Sequence, residues 1–139
     1  MQNNNWENEV DIIKAKSIEQ SKVSIGNIVH PGQASIAGNV HGGEIMKLMD
    51  DAAGIVGLRH ARTNVVTARV DNLIFHNPIF TGNLVTCVAK LTFVGNCSME
   101  ILVTVLVEDL FKEESAKVAV TAFFTMVALD KHRKPTIVP

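Results

Sequence analysis

From Gly42 to Ala61 the apolar residues Ile45, Met49, Ala52 and Val56 recur at i, i+4, i+7 and i+11, with Met46 and Ala53 flanking them. That spacing predicts one amphipathic helix, the only long one in the chain. Beyond it the period changes. In 65-VVTARVDNLIF-75 the residues Val66, Ala68 and Val70 share one face, as in a half-buried strand. The stretch 76-HNPIFTGN-83 carries Pro78 and Gly82 and reads as a connection. Three long segments follow, 84-LVTCVAKLTFV-94, 98-SMEILVTVLVEDL-110 and 117-KVAVTAFFTMVAL-129, all rich in Val, Thr, Phe and Ile. Only 95-GN-96 and 111-FKEESA-116 separate them, lengths that suit hairpins. Upstream, residues 18–30 lean towards β structure and end in the turn signal 30-HPG-32, and 33-QASIAGN-39 reads as a loop.

The expected order is therefore strand, helix, then four long strands, an α+β fold with an antiparallel sheet. At about 3.3 Å per residue the last strand is about 40 Å long, against about 28 Å for the helix at 1.5 Å per residue. One such helix covers one face of a five-stranded sheet, yet 101-ILVTVLV-107 is apolar on both faces. A sheet with that pattern is expected to meet a second copy, edge to edge or face to face.

Composition narrows the class. The 139 residues are 47% apolar and 19% charged, which predicts a globular single domain over 1–139 with a polar, flexible leader of about twelve residues. A net charge of −1 gives no whole-molecule attraction to nucleic acid or to an anionic membrane. The start 1-MQNNNWENEV-10 lacks a secretory pattern, and 118-VAVTAFFTMVAL-129 is too short to span a bilayer as a helix. Cys87 and Cys97 are expected as buried free thiols in a reducing cytoplasm. The five histidines lack zinc spacing, and GxSxG, phosphate-loop and GxGxxG motifs are absent, so no metal or nucleotide cofactor is expected. His76, in 75-FHNP-78, reads as a turn histidine packed against Pro78.

The chemistry concentrates in 38-GNVHGGEIMKLMDDAAGIVG-57. Glu44, Lys47 and Asp51 fall together opposite the apolar stripe, where Lys47 and Asp51 are spaced for a surface pair. Asp50 lies about 100° round the helix from Asp51, beside Met46, Ala53, Gly54 and Gly57. It is either a carboxylate at the edge of a groove or an acid that reaches solvent or a partner such as Arg69. The glycines at 54 and 57 require a reason, either close packing or room for a ligand. Gly42 and Gly43 open the helix with unobstructed N–H groups that suit an oxyanion. Asn39 is placed either to cap that helix or to present its amide to a water or a carbonyl.

The set GNVHGG, MKLMD and FHNPI with its glycine turn, continued through 91-LTFVGNCSMEI-101, resembles the hotdog-fold acyl-CoA thioesterases that include the brain acyl-CoA hydrolase family and its bacterial relatives. The resemblance spans about residues 36–129. It implies a long antiparallel sheet wrapped around one central helix, with sites at a dimer interface and assembly into a homohexamer, a trimer of dimers. It implies hydrolysis of a fatty acyl-CoA to free acid and CoA without a cofactor. By the same resemblance Asn39 and Asp50 are the residues needed for activity, contributed by two subunits, with Asp50 as base or nucleophile. His41, Gly42 and Gly43 would receive the carbonyl oxygen. Arg59, Arg62, Lys90 and the cluster 131-KHRK-134 are the candidate cations for CoA phosphates, and Gly95, Asn96 and Ser98 would border the pantetheine path. Met46, Met49 and Phe75 are candidates for the acyl groove and equally for core packing.

Two other readings compete. A dehydratase or hydratase of 3-hydroxyacyl thioesters on the same fold would pair His41 with Asp50. A non-catalytic acyl-CoA sensor would need an output module for which 139 residues leave no room.

Overall fold

The computed structural model describes residues 21–139. The leader expected at the N-terminus, and the first residues of the β-leaning segment, lie outside the described residues. Strand β1 (Val23–Ile28) leads through a 3₁₀ turn (Pro31–Gln33) to helix α1 (Gly42–Ala61), and four strands follow: β2 (Asn64–Phe75), β3 (Leu84–Val94), β4 (Ser98–Glu108) and β5 (Lys117–Leu129). Helix α1 and strands β3 and β5 have the bounds the periodicity predicts. The strands form one sheet in the order β1-β3-β4-β5-β2, antiparallel throughout.

The sheet curls around α1, which packs against all five strands. The helix buries Ile45, Met49, Ala52, Ala53, Val56, Gly57 and His60. Strand β4 answers with Met99, Ile101, Val103 and Val105, each fully buried, in strict alternation with half-exposed neighbours. This is the two-residue period of a sheet with one face on a core. The close approach of α1 to β2 accounts for Gly57: a methyl group added there would come within 3.2 Å of Val65 and 3.6 Å of Met99. Met49 is wholly inaccessible at the centre of this core. Met49→Ala is expected to lower stability by about 2–5 kcal/mol, readable as a shifted denaturant midpoint with an unchanged slope.

Strand β2 departs from expectation. Val66 and Val70, read as a half-buried face with Ala68, are 41% and 38% exposed. The side chains that reach the helix include Val65, against Gly57, Thr67, against Asp50, and Phe75, over Gly42. The physical cause is twofold. β2 is an edge strand, paired only with β5, and its register slips between Thr67 and Arg69 and again between Asp71 and Ile74. Each bulge changes the parity of inward and outward positions, and Asn72, at φ 53°, sits in the second. Val66, Val70, Ile74 and Phe75 leave a row of exposed apolar side chains on this edge.

Cys87 is buried on β3, whereas Cys97, in the β3–β4 turn, is only partly covered, so the expectation of two buried thiols holds for one. His76 is exposed and hydrogen-bonds through Nε2 to the hydroxyl of Thr121 at 2.8 Å. Among the described residues, no helix is long and apolar enough to cross a membrane.

Candidate active site

Asp50 occupies the border of the α1 stripe, one position on from the buried Met49, and its side chain leaves the core towards β2. There Thr67 donates its hydroxyl proton to Asp50 Oδ1 at 2.5 Å, and the same hydroxyl lies 3.2 Å from the sulfur of Met126 on β5. One carboxylate oxygen is thus fixed and the other is left for a water or substrate proton. Arg69, the alternative partner weighed from sequence, pairs with Asp71 at 2.9 Å. The expected Lys47–Asp51 pair does not form: the ion pairs among the described residues are Arg69–Asp71, Lys112–Asp109 and Lys117–Glu114.

Around Asp50 opens a groove of about 620 Å³, lined by Asp51, Gly54, Ile55 and Leu58 of α1, Val65, Val66 and Thr67 of β2, and Met126. Its walls are mostly apolar. Gly54 contributes no side chain, and a methyl group there would meet only Met126 at 3.8 Å, so this glycine gives room where Gly57 gives close packing.

Asn39 lies elsewhere. It borders a recess of about 230 Å³ with Val40 and residues 75–79, beside the start of α1. It does not cap the helix: the N-cap is His41, which makes no side-chain capping bond. Its side-chain oxygen instead accepts a hydrogen bond from the Ser35 hydroxyl at 3.0 Å. Asn39 is bridged to Phe80, and the next residue, Val40, donates its N–H to Ile79 O at 2.7 Å. Gly42 and Gly43 are exposed at the first turn, with Phe75 closing over Gly42. His41 is exposed beside them, its backbone N–H held by Gln33 O at 2.9 Å.

Within one chain these two places are separate. Gly42 and Asp50 are eight residues apart on one helix, about 12 Å along its axis at 1.5 Å per residue. The helix start and Asp50 of one chain thus lie more than two helical turns apart.

The remaining candidates are scattered. Met49 takes the packing role, Met46 is 42% exposed, and Phe75 lines the recess by Asn39. Arg59 donates to the Lys22 carbonyl at 3.0 Å, and Arg62 ends α1 in a left-handed conformation at φ 56°. Lys90 is exposed on β3, and residues 131–134 form an exposed turn after β5. Gly95, Asn96 and Ser98 form the β3–β4 turn, in which Gly95 N–H donates to Ser98 O and Asn96 O accepts from Val138 N–H. The groove beside Asp50 is lined by none of these cations. Burial pushes the Cys87 thiol up to about 12 from 9.0, so it stays protonated at neutral pH and is no nucleophile. Thr67 escaped the sequence reading. The signal was a hydroxyl two positions from Val65, the strand residue against the α1 glycine, but the edge position of β2 concealed which parity faces the helix.

Among the described residues, one long helix wrapped by a five-stranded antiparallel sheet, with a carboxylate at the helix–edge groove, defines a hotdog-fold protein. The model of the thioesterase superfamily matches residues 37–110. The chain belongs to that superfamily. The cytosolic acyl coenzyme A thioester hydrolase of Rattus norvegicus is 42% identical over 124 residues, which are 88% of this chain and 32% of that protein. The chain therefore spans about a third of the length of the rat, mouse and human cytosolic acyl coenzyme A thioester hydrolases it matches. An acyl-CoA hydrolase from Staphylococcus aureus, solved with butyryl coenzyme A, coenzyme A and coenzyme A disulfide, superposes with a TM-score of 0.84 at 35% identity, covering 89% of this chain and 75% of that one. It has also been solved with an aspartate, an asparagine or a threonine replaced by alanine. A hexameric acyl-CoA thioesterase superposes with a TM-score of 0.85 at 29% identity, covering 89% of this chain and 79% of that one.

Proposed function

We propose that the protein hydrolyses acyl-CoA thioesters to free acid and CoA, at a site assembled from two copies of the chain. The observation that carries this reading is the fixed pair Asp50–Thr67 at the mouth of an apolar groove. In the S. aureus enzyme the substituted aspartate and threonine stand seventeen residues apart in that chain, and Asp50 and Thr67 have the same separation here.

In the proposed reaction Asp50 is the general base. With Oδ1 held by Thr67, the carboxylate takes a proton from a water, whose oxygen attacks the thioester carbon. The carbonyl oxygen becomes an oxyanion against the Gly42 and Gly43 N–H groups of the partner copy, where free donors and the helix dipole favour negative charge. The C–S bond then breaks, CoA leaves as a thiolate and takes up a proton, and the acid is released. Asn39 presents its amide to the water or the carbonyl. No metal or other cofactor enters these steps, and the acyl chain lies in the groove along Gly54, Ile55 and Leu58.

Pairing of the β2 edges of two copies supplies the partner. It would cover the exposed row of Val66, Val70, Ile74 and Phe75 and continue the sheet across the two-fold axis. Further assembly of such dimers into a hexamer accords with the hexameric relative, and a cytosolic location with the names of the mammalian ones.

The asparagine is less simply placed. In the S. aureus enzyme it stands fifteen residues before the aspartate, and the residue fifteen before Asp50 is Ser35, whereas Asn39 is eleven before it. The two side chains are hydrogen-bonded to each other here.

The test is release of free thiol from a panel of short- to long-chain acyl-CoAs. Saturable turnover is expected, with Thr67→Val lowering kcat about tenfold through loss of a hydrogen bond to a charged group. Binding without turnover on every chain length would favour the sensor.

A further inference from the structure

The loop before α1 is built rather than slack. Ala34 and Val40 pair as an isolated bridge, Ser35 N–H donates to Asn39 O at 2.7 Å, and Gly38 N–H donates to Ser35 O at 2.9 Å. Gly38 closes this small hairpin at φ +90°, a conformation that favours glycine. Its far side is pinned to residues 79–81, where Val40 N–H meets Ile79 O at 2.7 Å and Thr81 N–H meets Gly38 O at 3.1 Å. A rigid frame of this kind holds side chains to the tolerance a catalytic site needs.

Inside that frame the Ser35 hydroxyl donates to Asn39 Oδ1 at 3.0 Å. The consequence is directional. An asparagine amide offers an acceptor at one end and two donor protons at the other. With its oxygen engaged by Ser35, Asn39 has the NH₂ end left for the recess it lines. That end donates to a carbonyl or to a water oxygen. Turned by 180°, the amide would set its own oxygen against a carbonyl oxygen and repel it. Ser35 itself does not line the recess.

We propose that Ser35 is a positioning residue for the reaction: its hydroxyl, bonded to Asn39 Oδ1, holds the Asn39 side chain in place with its NH₂ end available as a donor. This rests on the functional reading above and adds to it that the orienting function in this chain is divided between two residues. Ser35, which has the relative's asparagine spacing of fifteen residues before the aspartate, does not line the recess and works through Asn39.

The experiment compares wild type, Ser35→Ala, Ser35→Thr, Asn39→Ala and Ser35→Ala/Asn39→Ala for kcat and KM on one acyl-CoA. The Asn39 side-chain amide protons are followed in parallel by NMR. Ser35→Ala is expected to lower kcat about three- to tenfold with KM unchanged, and Ser35→Thr to retain the wild-type rate. In the Asn39→Ala background the loss of Ser35 is expected to have no further effect, the signature of two residues acting as one unit. The Asn39 amide signals are expected to shift in Ser35→Ala and not in Ser35→Thr. Additive rate losses would show that Ser35 touches the substrate directly and overturn the proposal. Asn39 signals identical in wild type and Ser35→Ala would overturn it too. The NMR arm needs no turnover, so an enzyme inert towards acyl-CoA would refute the functional reading and leave this result separately readable.

Discussion

Asp50→Asn is expected to remove nearly all acyl-CoA hydrolysis while leaving the protein folded. The amide keeps the size and shape of the carboxylate and can still accept the Thr67 hydroxyl through its oxygen, so the groove beside α1 is preserved. What it loses is the capacity to take a proton from water. A general base contributes about 10²- to 10⁴-fold, and the drop is expected in kcat with little change in KM, because the proton transfer occurs only in the transition state. Asp50 is exposed, so thermal stability should match wild type. A variant that turns over normally would exclude Asp50 as the base. The adjacent Asp51→Asn is the control and is expected to be active.

The second large effect is expected from the edge strand. Lysines at both Val70 and Ile74 would place like charges against their own copies across any β2–β2 contact, because a two-fold interface brings the same patch of each chain together. These residues are 38% and 50% exposed, so the chain should still fold. The expected result is a monomer by analytical ultracentrifugation with activity reduced to the level of Asp50→Asn. A monomer with undiminished turnover would show that one chain completes a site by itself. An unaltered oligomer would place the interface elsewhere.

These expectations rest on features of unequal legibility. Helix α1 was readable because Ile45, Met49, Ala52 and Val56 hold a single stripe, and because the glycine pair Gly42–Gly43 marks its start. β3 and β5 were readable from unbroken strand-forming runs between turn residues. The burial of β2 was not, because an edge strand left open to a partner carries apolar residues in both parities and two bulges shift the register within it. Period-two reasoning presumes one buried face and one constant register, and β2 has neither.

The site divides in the same way. Asp50 stood out as an acid off the solvent face of a periodic helix, a purely local signal. Its partner Thr67 lies across a helix-to-strand connection and could be assigned only once the parity of β2 was known. Asn39 was singled out as a polar residue ahead of the glycine pair, and its capping role fails because His41 takes the N-cap position. Ser35 gave no signal at all, since a serine in a loop is ordinary and only the closed hairpin around Gly38 sets it against Asn39. The candidate cations for CoA were the least legible, because an exposed lysine or arginine looks the same in sequence whether or not a phosphate lies beside it.

The central claim is that each site takes Asp50 from one copy and the Asn39 loop from another, and mixed oligomers test it most directly. Asp50→Asn and Asn39→Ala chains, each bearing a different affinity tag, are co-expressed, and the doubly tagged species is purified and assayed for thiol release from an acyl-CoA. If the site is shared, a mixed dimer holds one doubly damaged site and one intact site, so activity returns well above that of either parent variant. If each chain supplies its own Asp50 and Asn39, every site in the mixture carries a lesion, and a mixed oligomer as inactive as its parents would contradict the account.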